Sequence, residues 1–592
     1  MPCSSLRIQM VLYNENLPAI MRTVASIGAS AAHWHDEENA PIITLKIGDA
    51  SPAPVLSPDE LAKMKEVAGN RIAVEYVFFN ENTGYGKGHN LLSQGSQDDF
   101  LLFINPDIVF APRCIKRLVE TALADPSVGL VEARQMPIEN AKWFDPASGE
   151  AAWACGACLL ARREAFEAAE GFDDETFFMY CEDVDISWAV RNAGHRVVYQ
   201  PAAAAFHPHR LSPRGIWEAG ETEQYHDALG KLLLARKWGD ANLVRTMLAE
   251  FTWDGNPLRK SATLAYKKLE KAGKLPDQIE GGSAAATFRG IDHTAYRSLH
   301  HGATGLGTIS WGPAPTIDRR IQAGAQPANA SAPKQPFLSV VIPAQKTLSD
   351  ELAEALTCLA AQNSADFEVL IAPVGNGQAH AAEALAREFP ESLAGRMRTL
   401  PPVGNLRAAI DDACIAACGM YIAIMDEGDL VSDNWVEAFK AGVASHPGSV
   451  IRCLAVRQFW KCGEAPIIGG HALFCADAID PAYCRKDGDE TPLRQTAPTA
   501  SWCFPRFVLG DLGIQPSEYE DPGTFLDRIS DVCTFSRVEH ATVLQRIWTD
   551  DDMQRIGAFE TTSSAIRQAV PIEARAALRS LRRKLSGEGR IA

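Results

Sequence analysis

The chain has 592 residues, 46% of them hydrophobic and 22% charged. That balance excludes a largely disordered chain and leaves apolar material for at least two cores. A formal charge of −17 excludes a surface built to hold nucleic-acid phosphates.

The N-terminal MPCSSLRIQMVLYN runs straight into a strand pattern and lacks the apolar stretch of a secretory signal. Strand patterns follow at Leu6–Leu12, Ile42–Ile47, Ile72–Phe79, Phe100–Ile104 and Val128–Ala133, each short and rich in β-branched or aromatic residues. Helix patterns lie between them, at Leu17–Ser30, Pro58–Val67, Gly88–Gln94 and Pro112–Ala124, the last with proline in its first turn. This alternation predicts an α/β domain around a largely parallel sheet. Ligands of such sheets bind beyond the carboxyl ends of the strands, so the polar residues just after each strand become candidates. The one C-x-x-C, Cys155 and Cys158, lacks the second pair that a structural zinc needs, and fourteen scattered cysteines suit a reducing cytosol.

Arg214–Lys274 reads as helical. From Leu275 to Pro336 Gly, Ala, Pro and Ser take over, as in IQAGAQPANASAPKQP, the composition of a linker. At Phe337 the strand–helix alternation restarts. LSVVIPA echoes IQMVLYN, FEVLIAPVGNG echoes ITLKIGDAS, MYIAIMDEGD echoes FLLFINPDIV, and YEDPGTFLDRI echoes CEDVDISWAVR. Four echoes in one order at domain-scale spacing indicate a duplicated domain, since solenoid periods are far shorter. The last residues, Ser563–Ala592, hold seven basic and two acidic side chains, with Arg575, Arg579, Arg582, Arg583 and Lys584 alternating with leucines. Such a helix can lie on an anionic membrane or pack on its own domain. No run of about 18 apolar residues, the length of a membrane-spanning helix, occurs.

Four segments of the first half carry the chemistry. IGDASP sets Asp49 at a strand end. NTGYGKGHN runs from Asn82 to Asn90 with Gly84, Gly86 and Gly88. FINPDIV sets Asn105, Pro106 and Asp107 after the fourth strand. Glu182, Asp183 and Asp185 open a helix, and YQPAAAAFHPH follows with His207. In content and order these resemble the family 2 glycosyltransferases of the GT-A fold, most closely the rhamnosyltransferase-like branch that has N-P-D where other members have D-x-D. The resemblance covers about residues 6–240, including the Lys237-Trp238-Gly239 ending.

The resemblance implies an inverting, metal-dependent transferase. Its donor would be a nucleotide-diphospho-sugar of the dTDP-rhamnose or UDP-hexose type. Its acceptor would be a cell-surface glycan or lipid-linked glycan. Mg²⁺ or Mn²⁺ would take Asp107, with His207 as second ligand or phosphate contact and His209 as its competitor. Asp183 would be the base that removes the acceptor hydroxyl's proton, with Glu182 as the alternative. Asn14, Asp49, Asn82, Gly84, Gly88, Asn90 and Asn105 would line the donor. Lys87 is balanced between a phosphate and solvent, and Asp185 is a possible helix cap.

The second half departs from the pattern. Pro373 and Val374 stand where an Asp is usual after the second strand, and Gly428 where a metal-binding Asp is usual. Asp426, Asp429, Glu520 and Asp521 remain as candidates there. The expected architecture is α/β with two tandem GT-A domains. Residues 1–274 form the first with a helical end, 275–336 the linker, 337–560 a second, degenerate copy and 561–592 the basic tail. A cytoplasmic enzyme follows, with peripheral contact at the inner face of the membrane through that tail. The competing readings are a bifunctional glycan polymerase and a non-catalytic assembly scaffold.

Overall fold

The computed structural model describes residues 5–34, 40–136, 148–207, 220–239, 241–282, 285–286, 296–297, 335–345, 350–459, 467–468, 473–474, 498–510, 525, 529 and 533–547. The first half begins with β1 (Ser5–Leu12), α1 (Leu17–Ala31), β2 (Ile42–Asp49), α2 (Pro58–Ala68), β3 (Ile72–Phe78) and α3 (Gly84–Ser93). It continues with β4 (Phe100–Ile104), β5 (Val109–Phe110), α4 (Cys114–Ala124), β6 (Val128–Met136), β7 (Cys158–Arg162), α5 (Arg163–Ala168), α6 (Glu182–Asn192) and β8 (Arg196–Phe206). Three helices follow: α7 (Glu221–Trp238), α8 (Ala241–Trp253) and α9 (Pro257–Lys271).

Local chemistry accounts for these elements. All five residues of β4, FLLFI, are buried, the mark of a central strand covered on both faces. Asn16 caps α1 through the amide of Ala19, and Ser57 with Glu60 closes a capping box on α2. Helix α3 begins at Gly84, earlier than the sequence pattern predicts. Asn82 Oδ1 accepts from the Gly84 amide, and Gly84 itself has φ +67°. The glycines that read as a loop are the first turn of a helix. Conversely, α4 begins at Cys114, so Pro112 lies in the preceding turn.

The eight strands run in the order β3-β2-β1-β4-β7-β6-β8-β5. β1, β2, β3 and β4 pair in parallel, β7 runs antiparallel to β4 and β6, β8 is parallel to β6, and β5 is antiparallel to β8.

The second half contains β9 (Leu338–Ala344), α10 (Asp350–Ala360), β10 (Phe367–Pro373), α11 (Asn376–Ala386), α12 (Glu391–Ala394), β11 (Met397–Thr399) and α13 (Leu406–Ala416). Then come β12 (Tyr421–Ile424), β13 (Asp429–Val431), α14 (Trp435–Ser445), β14 (Val450–Phe459), β15 (Trp502–Pro505) and β16 (Phe535–Ile547). Their order is β11-β10-β9-β12-β15-β14-β16-β13, the same path, with a two-residue strand Leu473–Phe474 beside β14. Each pair repeats the direction of its counterpart. The fold is thus α/β with two tandem sheets of one topology.

The two units share one apolar cluster, which includes Ile8, Leu102 and Phe206 from the first and Val340, Leu356 and Trp435 from the second. Ion pairs among the described residues cross between them, including Arg134 with Glu354 at 2.6 Å, Arg22 with Asp433 at 3.5 Å, and Arg113 with Glu388. After α9 the chain returns to α7, where the Ile279 amide donates to Lys237 O and Gly282 packs on Trp238. The start of the predicted linker is therefore fastened to the first unit. Most of the remaining linker, and the whole basic tail, lie outside the described residues.

Candidate active site

Asn105 and Asp107 lie in the turn between β4 and β5, and His207 directly follows β8. The antiparallel pairing of Val109 with Phe206 brings these distant stretches together. Asp107 Oδ1 is 3.2 Å from His207 Nε2; the aspartate side chain is 19% exposed and the imidazole 1%. The carboxylate therefore faces outward from a buried ring. His207 Nδ1 lies 3.3 Å from Gln135 Oε1, and Nε2 lies 3.3 Å from Asn105 Nδ2. A ring protonated on Nδ1 would donate to Gln135 and accept from Asn105, whereas one protonated on Nε2 would donate to Asp107. In the first form the Nε2 lone pair and the Asp107 carboxylate would be two acceptors in contact, an arrangement that a positive charge at that point would stabilise. Among the described residues no group of three or more His, Cys, Asp or Glu forms a metal site. A cation here would have two protein ligands and an otherwise open shell.

Asp183 approaches the same edge through β7. The Asn105 amide donates to Ala157 O, and the Gly156 amide donates to Asp183 Oδ2 at 3.0 Å. Tyr85 reaches the same loop, its hydroxyl donating to Gly156 O at 2.5 Å. Asp183 is half-buried, whereas Glu182 is 6% exposed and its Oε2 has no hydrogen-bond partner. Burial, and then the neighbouring Asp183 charge, push the Glu182 carboxyl well above the usual carboxylate range. The helix opens from a left-handed turn, Tyr180 at φ 64° and Cys181 at φ 71°. Adjacent residues diverge from it, which separates the two carboxyls.

Several residues expected to line a donor have other work in the structure. Asn90 Nδ2 donates to Phe172 O and Asp174 Oδ2, while its Oδ1 accepts from the Phe172 amide, so Asn90 anchors the 172–174 loop. A Cβ on Gly84 would lie 2.2 Å from Phe178 O, and one on Gly88 would lie 2.9 Å from Thr83 Oγ1 and Val11 Cγ2. These glycines let α3 pack closely; the backbone they free faces protein. Asp49 is fully buried: Oδ1 accepts from the Ser51 amide, and Oδ2 from the Val55 amide and the Tyr76 hydroxyl. It fixes the loop after β2. Asn14 (φ 55°), whose amide donates to Ser51 Oγ, and Asn82 remain exposed at the edge. Lys87 pairs with Glu81 on the surface.

One cluster lies beyond the reach of sequence reasoning. Lys237 Nζ bridges Asp173 at 2.7 Å and Asp185 at 2.9 Å, and Trp238 Nε1 donates to Asp185 Oδ1. Burial opposes the Lys237 charge, but Asp185 and Asp173 outweigh it and raise the pKa. Asp185 is thus a buried ion-pair partner, and not a helix cap. The Lys237-Trp238 dipeptide was visible in sequence, but nothing local pointed to a carboxylate 52 positions earlier. Tyr76 and Gln135 were missed for the same reason. Cys155 and Cys158 are buried packing residues.

The second unit can be superposed through its hydrogen bonds. Ala50 N donates to Leu12 O as Val374 N does to Ala344 O, and Phe79 N to Asp49 O as Val403 N to Pro373 O. Cys114 N donates to Ala111 O as Trp435 N does to Ser432 O, and Ala111 N to Ala204 O as Ser432 N to Thr542 O. Counting from these anchors, Pro373 replaces Asp49, Gly428 replaces Asp107, and Gln545 replaces His207. Asp426 holds the place of Asn105 and is exposed, while Asp429 is buried in β13 opposite Gln545. Glu520 and Asp521, like His209, lie outside the described residues.

The model of glycosyl transferase family 2 matches residues 8–181. The N-acetylglucosaminyl-diphospho-decaprenol L-rhamnosyltransferase of Mycobacterium tuberculosis is 29% identical over 177 residues, covering 24% of this chain and 57% of that protein. The rhamnosyltransferase WbbL of Escherichia coli is 26% identical over 185 residues, covering 24% of this chain and 67% of that protein. The chain thus spans little more than half the length of the mycobacterial relative. A mannosyltransferase from Pyrobaculum calidifontis, solved with GDP-Man and Mn²⁺, matches at 17% identity and a TM-score of 0.31, over 46% of this chain and 76% of its own. Within its first unit, then, the chain carries a segment that matches the family 2 glycosyltransferase model and is similar to two rhamnosyltransferases.

Proposed function

We propose that the first unit transfers a sugar from a nucleotide-diphospho-sugar to a cell-surface or lipid-linked glycan with inversion. The contact of Asp107 with His207 at the carboxyl edge of the sheet carries this reading. The two side chains offer one hard oxygen and one imidazole nitrogen, a donor set that accommodates Mn²⁺ or Mg²⁺ with diphosphate oxygens and water filling the shell. Such a cation supplies charge neutralisation for the departing diphosphate. Gln135, accepting from Nδ1–H, would leave the Nε2 lone pair of His207 to a cation, which would take the place of the Asn105 amide there. Asp183 accepts the proton of the attacking hydroxyl, and the Gly156 amide orients its carboxylate. Burial of Glu182 next to it disfavours a second negative charge that would compete. Asn14, Asn82 and Asn105 are the residues of the edge free to meet the donor, with Asp49 shaping the loop beneath it.

The relatives named as rhamnosyltransferases, one with a diphospho-decaprenol acceptor, favour a deoxysugar donor such as dTDP-rhamnose over a UDP-hexose, and a polyprenyl-linked acceptor. We read the second unit as non-catalytic, because Pro373, Gly428 and Gln545 stand at the three corresponding positions. A cytoplasmic protein meeting the membrane at its surface fits this acceptor. Among the described residues no helix is long and apolar enough to cross a bilayer.

The test is a panel of nucleotide sugars with and without Mg²⁺ or Mn²⁺. Slow metal-dependent release of nucleotide diphosphate from one donor, lost in Asp107→Ala, is the expected result. Failure of every donor to bind in either condition would move the protein to the scaffold class.

A further inference from the structure

We propose that the second unit is a positioning element for the first unit's site, acting through Glu354 on α10; this rests on the reading of Asp107 and His207 as a cation site. Glu354 Oε1 accepts from Arg134 Nη1 at 2.6 Å, and both side chains are wholly buried. Arg134 belongs to β6, immediately before the two residues that hold His207. Gln135 Oε1 faces Nδ1 of the imidazole, and Met136 O accepts the His207 amide at 2.7 Å. The same stretch of β6 is in register with the end of β8, Arg134 opposite Ala204 and Met136 opposite Phe206. A register shift between Ala133 and Arg134 breaks the regular ladder there, so the strand's own pairing fixes this end less firmly. The ion pair from the second unit supplies a fixed point at the irregularity.

The contact is built into the duplication. The Ile115 amide donates to Ser30 Oγ and the Val436 amide to Gln362 Oε1, which makes these positions equivalent. Eight residues before each stand Arg22 on α1 and Glu354 on α10, and both bond across to the other unit. The degenerate copy has exchanged the residues of a site for residues of an interface. Groups that orient a metal-ligating histidine set its affinity, and their loss costs tenfold or more.

The experiment uses the full chain with histidine labelled at Cε1, the His207 signal assigned from His207→Gln. Its resonance is recorded at one fixed pH in wild type and Glu354→Gln, alongside the Mn²⁺ concentration that half-saturates nucleotide binding. The expected result is a shifted or broadened His207 resonance and a Mn²⁺ midpoint raised on the order of tenfold, with partial recovery in Glu354→Asp. A His207 resonance at the wild-type position, even with a lowered Tm, would overturn the proposal and leave the ion pair as a stability element. If Glu354→Gln does not fold, Glu354→Asp is judged by the same criterion. A wild type that responds to no metal refutes the cation-site reading, and the resonance comparison still decides the positioning role.

Discussion

At the turn after β4 the first unit has Asn105, Pro106 and Asp107; at the same turn after β12 the second has Asp426, Glu427 and Gly428. The strands leading into both turns are wholly buried, FLLFI in one and YIAI in the other. The sheet path, the direction of every strand pair and the turn hydrogen bonds are retained in both units. The apolar strands differ in sequence yet stay apolar, whereas the polar residues at the strand ends change in kind. Fold and chemistry thus rest on separate residue sets in this chain. The sheet depends on apolar strands that tolerate exchange, while the site depends on a few side chains beyond them. Once one copy carries the reaction, the second is free to keep its core and turn its polar positions to holding the first.

The sharpest way to break this contrast is to remove the base. Asp183→Asn is expected to lower transfer by about 10²–10⁴-fold, with donor binding retained, in a steady-state assay. Asp107→Ala should cost about 10²–10³-fold through lost stabilisation of the leaving group, whereas Asp426→Ala at the matching turn should leave the rate within about twofold. An equal loss in the second-unit variant would show that the copies share the chemistry.

A third comparison concerns stability. Among the described residues only the first unit carries a terminal helix pinned by an internal ion-pair cluster, that of α7. Lys237→Met strands the Asp185 carboxylate in the core and should cost about 3–5 kcal/mol in chemical denaturation. The smallest effect is expected at Glu182. Its pKa in the folded protein lies above the unfolded value, so the folded state retains a proton that the unfolded chain gives up. Its contribution is therefore fully favourable below the unfolded pKa of about 4.3 and declines as pH rises toward the raised folded value. Glu182→Gln should flatten that decline, giving a higher Tm than wild type at neutral pH and no advantage at pH 4. A loss of activity as large as that of Asp183→Asn would instead make Glu182 the base.

Much of the fold was legible in the sequence, because its strands are short apolar runs separated by amphipathic helices. Phe100–Ile104 was expected and found with the same bounds, and the duplication followed from ordered echoes. Helix α3 was harder to delimit, since glycines usually signal a turn and here allow a helix to approach Val11 and Phe172. At the site, the strand-end logic brought out Asp107 and the family resemblance His207, whose contact the β5–β8 pairing then makes. The partners that set their chemistry were not legible. Gln135 and Glu354 act across sheet pairings and between units, and Asn90 and Asp49 look like ligand residues until their bonds are traced to loops.

The central claim is one chemical site per chain, located in the first unit. Titration calorimetry of the full chain with UDP and dTDP in saturating Mn²⁺ tests it most directly. The account predicts one nucleotide bound per chain, lost in Asp107→Ala and unchanged in Asp426→Ala. Two nucleotides per chain, or one that survives Asp107→Ala and disappears in Asp426→Ala, would contradict it.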